Sequence, residues 1–290
     1  MTRTLRFTKG HGTRNDFVLL DDRGGEFALT ATMAAALADR RSGIGGDGVI
    51  RVGPTASASD AEVAAQAGEA PWFMDYRNAD GSHAQMCGNG ARVFAAYLVR
   101  EGLVAGPEFA IATRAGVKRV RVEGPNVTVD MGSWSFADPA AAAADGTDAL
   151  VHVPRHEPFS ALRVNLGNPH TVVAVPPSIT LAELDLSEVP QVRPNPQAGT
   201  NVEFVSPTGP GRLLMRVHER GVGETESCGT GACAAAIATH LWAGPADEGG
   251  LWTVEVPGGA LQVRLLPDQR VELTGPATLV ADGTVTLPIR

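Results

Sequence analysis

One pattern occurs twice in this chain. Cys87 opens C-G-N-G-A-R-V-F-A-A-Y-L, and Cys228, 141 residues later, opens C-G-T-G-A-C-A-A-A-I-A-T-H-L. Each loop feeds an alanine-rich apolar run with helical spacing, which predicts a buried helix. The echo continues downstream. The first helix is followed by T-R-A-G-V-K-R-V-R-V and V-T-V-D-M-G, the second by V-P-G-G-A-L-Q-V-R-L and V-E-L-T-G. Gly132 closes the first series 45 residues after its cysteine, and Gly275 closes the second 47 after its own. These stretches alternate apolar and polar residues, as half-buried antiparallel strands do. Upstream, R-N-D-F-V-L-L at 14–20 faintly matches G-N-P-H-T-V-V at 167–173.

The duplication predicts an α/β chain of the α+β type. Two similar halves each wrap an antiparallel sheet around a central helix that carries a cysteine at its N-terminus. A pseudo-two-fold axis is expected to relate them, with the active site in the cleft between. The first half, carrying Cys87, spans 1–133 and is completed by a terminal strand at 277–290. The second, carrying Cys228, spans 134–276. Residues 54–62 and the low-complexity stretch 137–148 read as additions to the repeat, the latter near the domain boundary.

Composition narrows the chemistry. With 32 acidic against 24 basic residues the formal charge is −8, and no basic tract suggests nucleic acid or an anionic membrane as partner. No apolar run resembles a signal peptide or reaches the length of a membrane span, so a cytoplasmic protein is expected. Three cysteines cannot all pair, and a reducing compartment would keep them as thiols. Only Lys9 and Lys118 could supply the Schiff-base lysine of a pyridoxal-phosphate enzyme, and neither sits in a Gly/Ser-rich phosphate loop. There is no C-x-x-C pair of the zinc-site kind. Neither cofactor nor metal is expected.

The chemistry therefore falls on the two cysteine loops. A thiol at a helix start meets unpaired N–H groups and the positive end of the macrodipole. Both pull its pKa below the ordinary value of about 8.5. The flanking glycines let a ligand approach the backbone, whose N–H groups can cradle a carboxylate. Two such loops facing one Cα offer a thiolate to remove the α-proton and a thiol to return one to the opposite face. Cys233, five residues after Cys228 and matched by Arg92 in the first half, reads as a packing residue.

The flanks of these loops resemble diaminopimelate epimerase over nearly the whole chain. The motifs are H-G-T-R-N-D-F at 11–17, S-G-I-G-G-D at 42–47 and R-N-A-D-G-S-H-A-Q-M-C-G-N-G-A-R at 77–92. They continue with L-G-N-P-H at 166–170, G-T-N-V-E-F at 199–204 and H-E-R-G-V-G-E-T-E-S-C-G-T-G-A at 218–232. The resemblance implies Cys87 and Cys228 as the acid–base pair, with His170 and Glu219 tuning the thiols. It implies Asn15, Asn78, Asn168 and Asn201 as substrate-binding side chains, together with the loops Gly88–Asn89 and Gly229–Thr230. Glu219 also belongs to the substrate set, and Arg220 is implied as the fork for the distal carboxylate. Diaminopimelate is the implied small-molecule partner, and the assembly a homodimer. Two positions depart from the family pattern: Arg14 replaces a glycine, and Gly48 replaces a glutamine, so Gly48 is left out of the site.

Two alternatives stay open at this level. A proline or hydroxyproline racemase shares the two-thiol logic, but it usually carries histidine where Asn89 stands and lacks the E-R-G lead. A non-catalytic ligand-binding relative, or an isomerase without cysteines, would not need both thiols.

Overall fold

The computed structural model describes residues 2–245 and 249–288. Positions 289 and 290 of the expected terminal strand lie outside the described residues. The chain is a mixed α+β protein, rich in sheet and poor in helix, that divides into two compact units. One comprises Met1–Val129 with Gly275–Arg290, the other Asp130–Thr274. No helix among the described residues is long and apolar enough to cross a membrane.

In the first unit, strand Thr2–Gly12 lies antiparallel between Thr278–Pro288 and Asn15–Asp21. Asn15–Asp21 runs parallel to Gly48–Pro54, which pairs antiparallel with Trp72–Asn78. The helix Gly88–Arg100 follows, then the antiparallel series Glu108–Ile111, Lys118–Glu123 and Asn126–Ser133. The second unit repeats this plan. Phe159–Asn165 lies antiparallel between Ala149–His152 and Pro169–Ala174. Pro169–Ala174 runs parallel to Asn201–Gly209, which pairs antiparallel with Arg212–Glu219. The helix Gly229–Ala243 follows, then Leu251–Val256, Gly259–Leu266 and Arg270–Pro276.

The sheets are therefore mixed rather than purely antiparallel. The parallel pair in each unit follows a long connection, residues 22–47 in one and 175–200 in the other. A hairpin cannot join parallel strands, and a crossover of a dozen or more residues can. The first connection carries the helix Ala31–Ala38. Residues 137–148 also differ from the expected low-complexity segment. They hold the helix Pro139–Asp145, with Asp138 accepting from the N–H groups of Ala140 and Ala141, Pro139 at the first turn and Gly146 closing it in the left-handed conformation.

Strand alternation gives each sheet two buried faces. In the first unit Phe17, Ile50 and Met74 face the cysteine helix, while Val18, Leu20 and Val49 pack on the opposite side with Leu29, Ala34 and Leu37. In the second unit Val173, Val202 and Phe204 form a core with Phe159, Leu181 and Leu186 on the face away from the helix. The Gly229–Ala243 helix is buried on every side from Gly229 to Thr239. That demands small apolar residues all round, which its alanines supply.

Candidate active site

The registers align the two units residue by residue. Phe17 stands opposite Gly48, and Gly48 opposite Asn78. His170 stands opposite Asn201. Val202 stands opposite His218, which puts Asn201 beside Glu219. Asn78 and Glu219 each precede their cysteine by nine positions. Equivalent pairs are thus Asn15 and Asn168, Phe17 and His170, Gly48 and Asn201, Ile50 and Glu203, Asn78 and Glu219, Asn89 and Thr230.

Both cysteines are the N-caps of their helices. Cys87 Sγ accepts from Gly90 N–H, and Cys228 Sγ from Gly231 N–H, each at 3.4 Å. Cys87 is half-buried, whereas Cys228 and Cys233 are buried, and none of the three is in a disulfide.

The first loop brings together Asn15, Cys87 and Asn89 in a hydrogen-bond chain of fixed polarity. Arg92, fully buried and able only to donate, gives Nη1–H to Asn89 Oδ1 at 2.9 Å. Asn89 Nδ2 donates to Asn15 Oδ1 at 3.1 Å, and Asn15 Nδ2 donates to Asp47 Oδ2 at 2.7 Å. A carboxylate can only accept, so both amides are oriented from their two ends. Cys87 Sγ lies 3.9 Å from Asn15 Oδ1. Arg40 donates to both Asp47 and Asp16, and Lys9 pairs with Asp16. Burial alone would raise the Asp16 carboxyl, but Arg40 and Lys9 outweigh it and hold the group well below the usual carboxylate range. Asn78 stands apart from this chain, donating instead to Ser82 Oγ at 3.0 Å.

The second loop gathers Asn168, Glu219, Cys228 and Thr230. Asn168 Nδ2 donates to Thr230 Oγ1 at 3.3 Å, and that hydroxyl lies 3.6 Å from Cys228 Sγ. Thr225 donates to Glu219 Oε1 at 2.5 Å. Burial pushes the Glu219 carboxyl up, opposed by hydrogen bonds from Thr225 and the Cys228 thiol. The expected depression of the thiol fails at Cys228. Burial first, then the carboxylates of Glu219 and Glu203, raise it well above its ordinary value, and Thr230 and Gly231 N–H do not compensate. The helix start favours a thiolate here, but desolvation beside two acids wins.

His170 Nδ1 lies 2.7 Å from Glu203 Oε1, with both side chains wholly inaccessible. Asn168 lines a cavity of about 460 Å³ with Ser135, Arg163 and Asn165. Asn201 is held to the backbone, donating to Pro169 O and accepting from Arg220 N–H. Arg220 is exposed and lines a second cavity of about 510 Å³ with Val192 and His218, which adjoins the first at Pro196 and Thr200, and one of its N–H groups donates to Ala198 O. His152 and His156, spaced four apart, fall on a strand end and the loop after it rather than on one helix face. Among the described residues no three His, Cys, Asp or Glu side chains converge as metal ligands would.

Both departures from the family pattern have local explanations. Arg14 sits in a two-residue hairpin turn with Thr13, both at positive φ (63° and 51°), a conformation glycine adopts without steric cost. At Gly48 a Cβ would lie 2.4 Å from Tyr76 Cε2 and 2.7 Å from Arg77 O, so no side chain fits while the Tyr76 ring is there. Gly48→Gln is expected to destabilise the first unit by roughly 1–3 kcal/mol through overpacking, read as a lower urea midpoint. An unchanged midpoint would show that the Tyr76 ring and the Arg77 carbonyl both give way freely.

Sequence reasoning passed over Asp47, Arg92 and Glu203. Asp47 and Glu203 each lie inside a motif, S-G-I-G-G-D and G-T-N-V-E-F, and Arg92 closes a third.

Comparison with known proteins settles the family. The model of the family described as diaminopimelate epimerase matches residues 7–137 and 162–280. The chain belongs to the diaminopimelate epimerase family. It is 48% identical over 289 residues to the diaminopimelate epimerase of Thermobifida fusca (strain YX), covering 98% of each chain. It is 47% identical over 294 residues to that of Streptomyces coelicolor, covering 98% of this chain and 96% of the relative. As a member of this family the chain is an epimerase, and so an isomerase. Two solved structures share its fold at 15% identity. A hydroxyproline epimerase from Agrobacterium vitis with bound trans-4-hydroxy-L-proline superposes with a TM-score of 0.66, over 98% of this chain and 93% of that one. A phenazine biosynthesis protein of the PhzF family from Bacillus anthracis gives 0.65, over 98% and 99%.

Proposed function

We propose that this chain interconverts L,L- and meso-diaminopimelate, in lysine and peptidoglycan precursor biosynthesis, by two-base proton transfer at Cα. The supporting observation is the repeated cysteine cap: in a member of this family, both units place a sulfur where a sheet-bound loop becomes a helix. A thiolate takes the α-proton, the electron pair is held on the α-carbon and its carboxylate, and a thiol returns a proton to the opposite face. Inversion needs both groups at once, one deprotonated and one protonated. The backbone N–H groups of Gly88–Asn89 and Gly229–Thr230, at the positive ends of their helices, suit the reacting carboxylate.

The other roles follow from the side chains present. Asn15, Asn78, Asn168 and Asn201 can both donate and accept around the two ammonium–carboxylate centres. Glu219 can accept from an ammonium, and the exposed Arg220 fork suits the distal carboxylate. His170 and Glu219 adjust the thiols. The family resemblance also implies a homodimer working in the cytoplasm without cofactor or metal.

Incubating the reduced protein with L,L-diaminopimelate in deuterated water, without added cofactor, should yield meso product carrying deuterium at the inverted Cα. Product without solvent deuterium, or no product at all, would overturn the reading.

A further inference from the structure

The duplication supplies an internal control for what lies beneath each cysteine loop. Under the first helix, a Cβ at Gly90 would meet Met74, Ile50 and Phe17, all apolar. Under the second, a Cβ at Gly231 would lie 2.8 Å from Glu203 Oε1 and 3.2 Å from Glu203 Cγ. The apolar pair Phe17 and Ile50 is thus replaced by His170 and Glu203 at equivalent positions. The repeat folds with apolar residues there, so the polar pair is not required to build it.

The pair also carries a cost. Glu203 Oε2 and His170 Nε2 are buried and have no hydrogen-bond partner among the described residues. Each buried polar atom left unsatisfied costs about 1–3 kcal/mol, and well-packed apolar residues are often at least as stable as a buried pair. His170 Nδ1 and Glu203 Oε1 share a hydrogen bond of 2.7 Å, which leaves the opposite ring nitrogen, Nε2, as the uncommitted one.

We propose that Glu203 is a positioning residue that holds His170 and sets a second carboxylate beneath the first turn of the Cys228 helix, and so makes the two thiols inequivalent, with Cys228 the proton donor of the resting enzyme. The assignment rests on the two-thiol reading above. From the strands packed on this helix, the titratable groups facing Cys228 are Glu219 on Arg212–Glu219, Glu203 on Asn201–Gly209 and His170 on Pro169–Ala174. His218 alternates to the opposite face, where it lines the Arg220 cavity. Two of the three facing groups are acids, and both oppose a thiolate at Cys228.

The test compares Glu203→Gln, nearly isosteric and uncharged, with Glu203→Asp, which keeps the charge. In the Cys87→Ser/Cys233→Ser background the ultraviolet thiolate band reports Cys228 alone, without any turnover. Glu203→Gln should move the midpoint of that band to lower pH, raising the thiolate fraction on its acidic side about tenfold. Glu203→Asp should stay close to the parent. With all cysteines present, Glu203→Gln should shift only the basic limb of the kcat/KM profile for diaminopimelate to lower pH and leave the acidic limb in place. A purely structural role would instead scale the whole profile down. An unmoved Cys228 band in Glu203→Gln overturns the inference even if the wild type epimerises normally. A moved band in a protein that does not epimerise rejects the proposed function and leaves the action of Glu203 on Cys228 intact. Should Glu203→Gln fail to fold, the double variant His170→Phe/Glu203→Ile, which copies the first unit, must show the same band shift, and an unmoved band there also overturns the inference.

Discussion

Replacing Cys87 or Cys228 by alanine is expected to lower kcat for epimerisation by at least about 10³-fold, within the range that positioned acids and bases contribute. Cys233→Ala should leave kcat within about twofold. The two thiols act in series on one carbon: without the base no proton leaves, and without the acid none returns to the opposite face. A single-cysteine variant can still remove a proton and restore it to the same face. Slow deuterium exchange without inversion, from only one of the two isomers, is therefore the expected residue of activity. Which isomer exchanges identifies the face that the surviving cysteine serves. Cys233 packs wholly buried in the second helix, and losing its sulfur leaves a small cavity whose cost falls on stability, about 1 kcal/mol. Chiral analysis of the product together with mass spectrometry separates these outcomes. Normal inversion by either single variant, or equal damage from Cys233→Ala, would defeat the two-base assignment.

The cysteines were legible because the chain states them twice in equivalent settings, and the hairpins after each helix were legible from period-two alternation. Strand direction was not. Asn15–Asp21 and Gly48–Pro54 show the same apolar run whether they pair parallel or antiparallel, and only the path of residues 22–47 decides. The helix Pro139–Asp145 was hidden by its alanine content, although its cap residues Asp138, Pro139 and Gly146 are readable. Within the site, the local dipole at Cys228 could be read from C-G-T-G, but its burial and the two neighbouring carboxylates could not. Those depend on a register that sets Glu203, 33 residues beyond His170, beneath the same turn. The supporting residues share this obscurity. Asp47 meets Asn15 across 32 positions, and Arg92 meets Thr13 across 79.

Arg92 has no counterpart in the second unit, where Cys233 stands, and its removal is expected to damage both folding and the site. The side chain is fully buried, and its three donor arms serve three acceptors: Nε to Pro276 O at 3.3 Å, Nη1 to Asn89 Oδ1 at 2.9 Å and Nη2 to Thr13 Oγ1 at 3.2 Å. It thereby ties the hairpin turn at Thr13, the start of the C-terminal segment and the cysteine loop into one cluster. Arg92→Met fills much of the volume but deprives all three acceptors of a donor. A loss of about 3 kcal/mol in the stability of the first unit follows, since three charged hydrogen bonds of about 1.5–3 kcal/mol each are lost and the relieved burial of the guanidinium charge offsets part of that. The catalytic effect has a separate origin. With the donor-only end of the chain removed, the Asn89 amide can rotate, and Asn15 loses the neighbour that turns its oxygen toward Cys87. Misplacement by about an ångström at such a site costs on the order of 10²-fold in rate. The expected signature is a lower urea midpoint together with a fall in kcat/KM that persists under conditions where the variant is fully folded. Arg92→Lys should recover little of either, because an ammonium cannot present the planar fork that reaches three acceptors at once. Full activity in Arg92→Lys would mean that charge alone, and not the orientation of the Asn89–Asn15 chain, is what this position supplies.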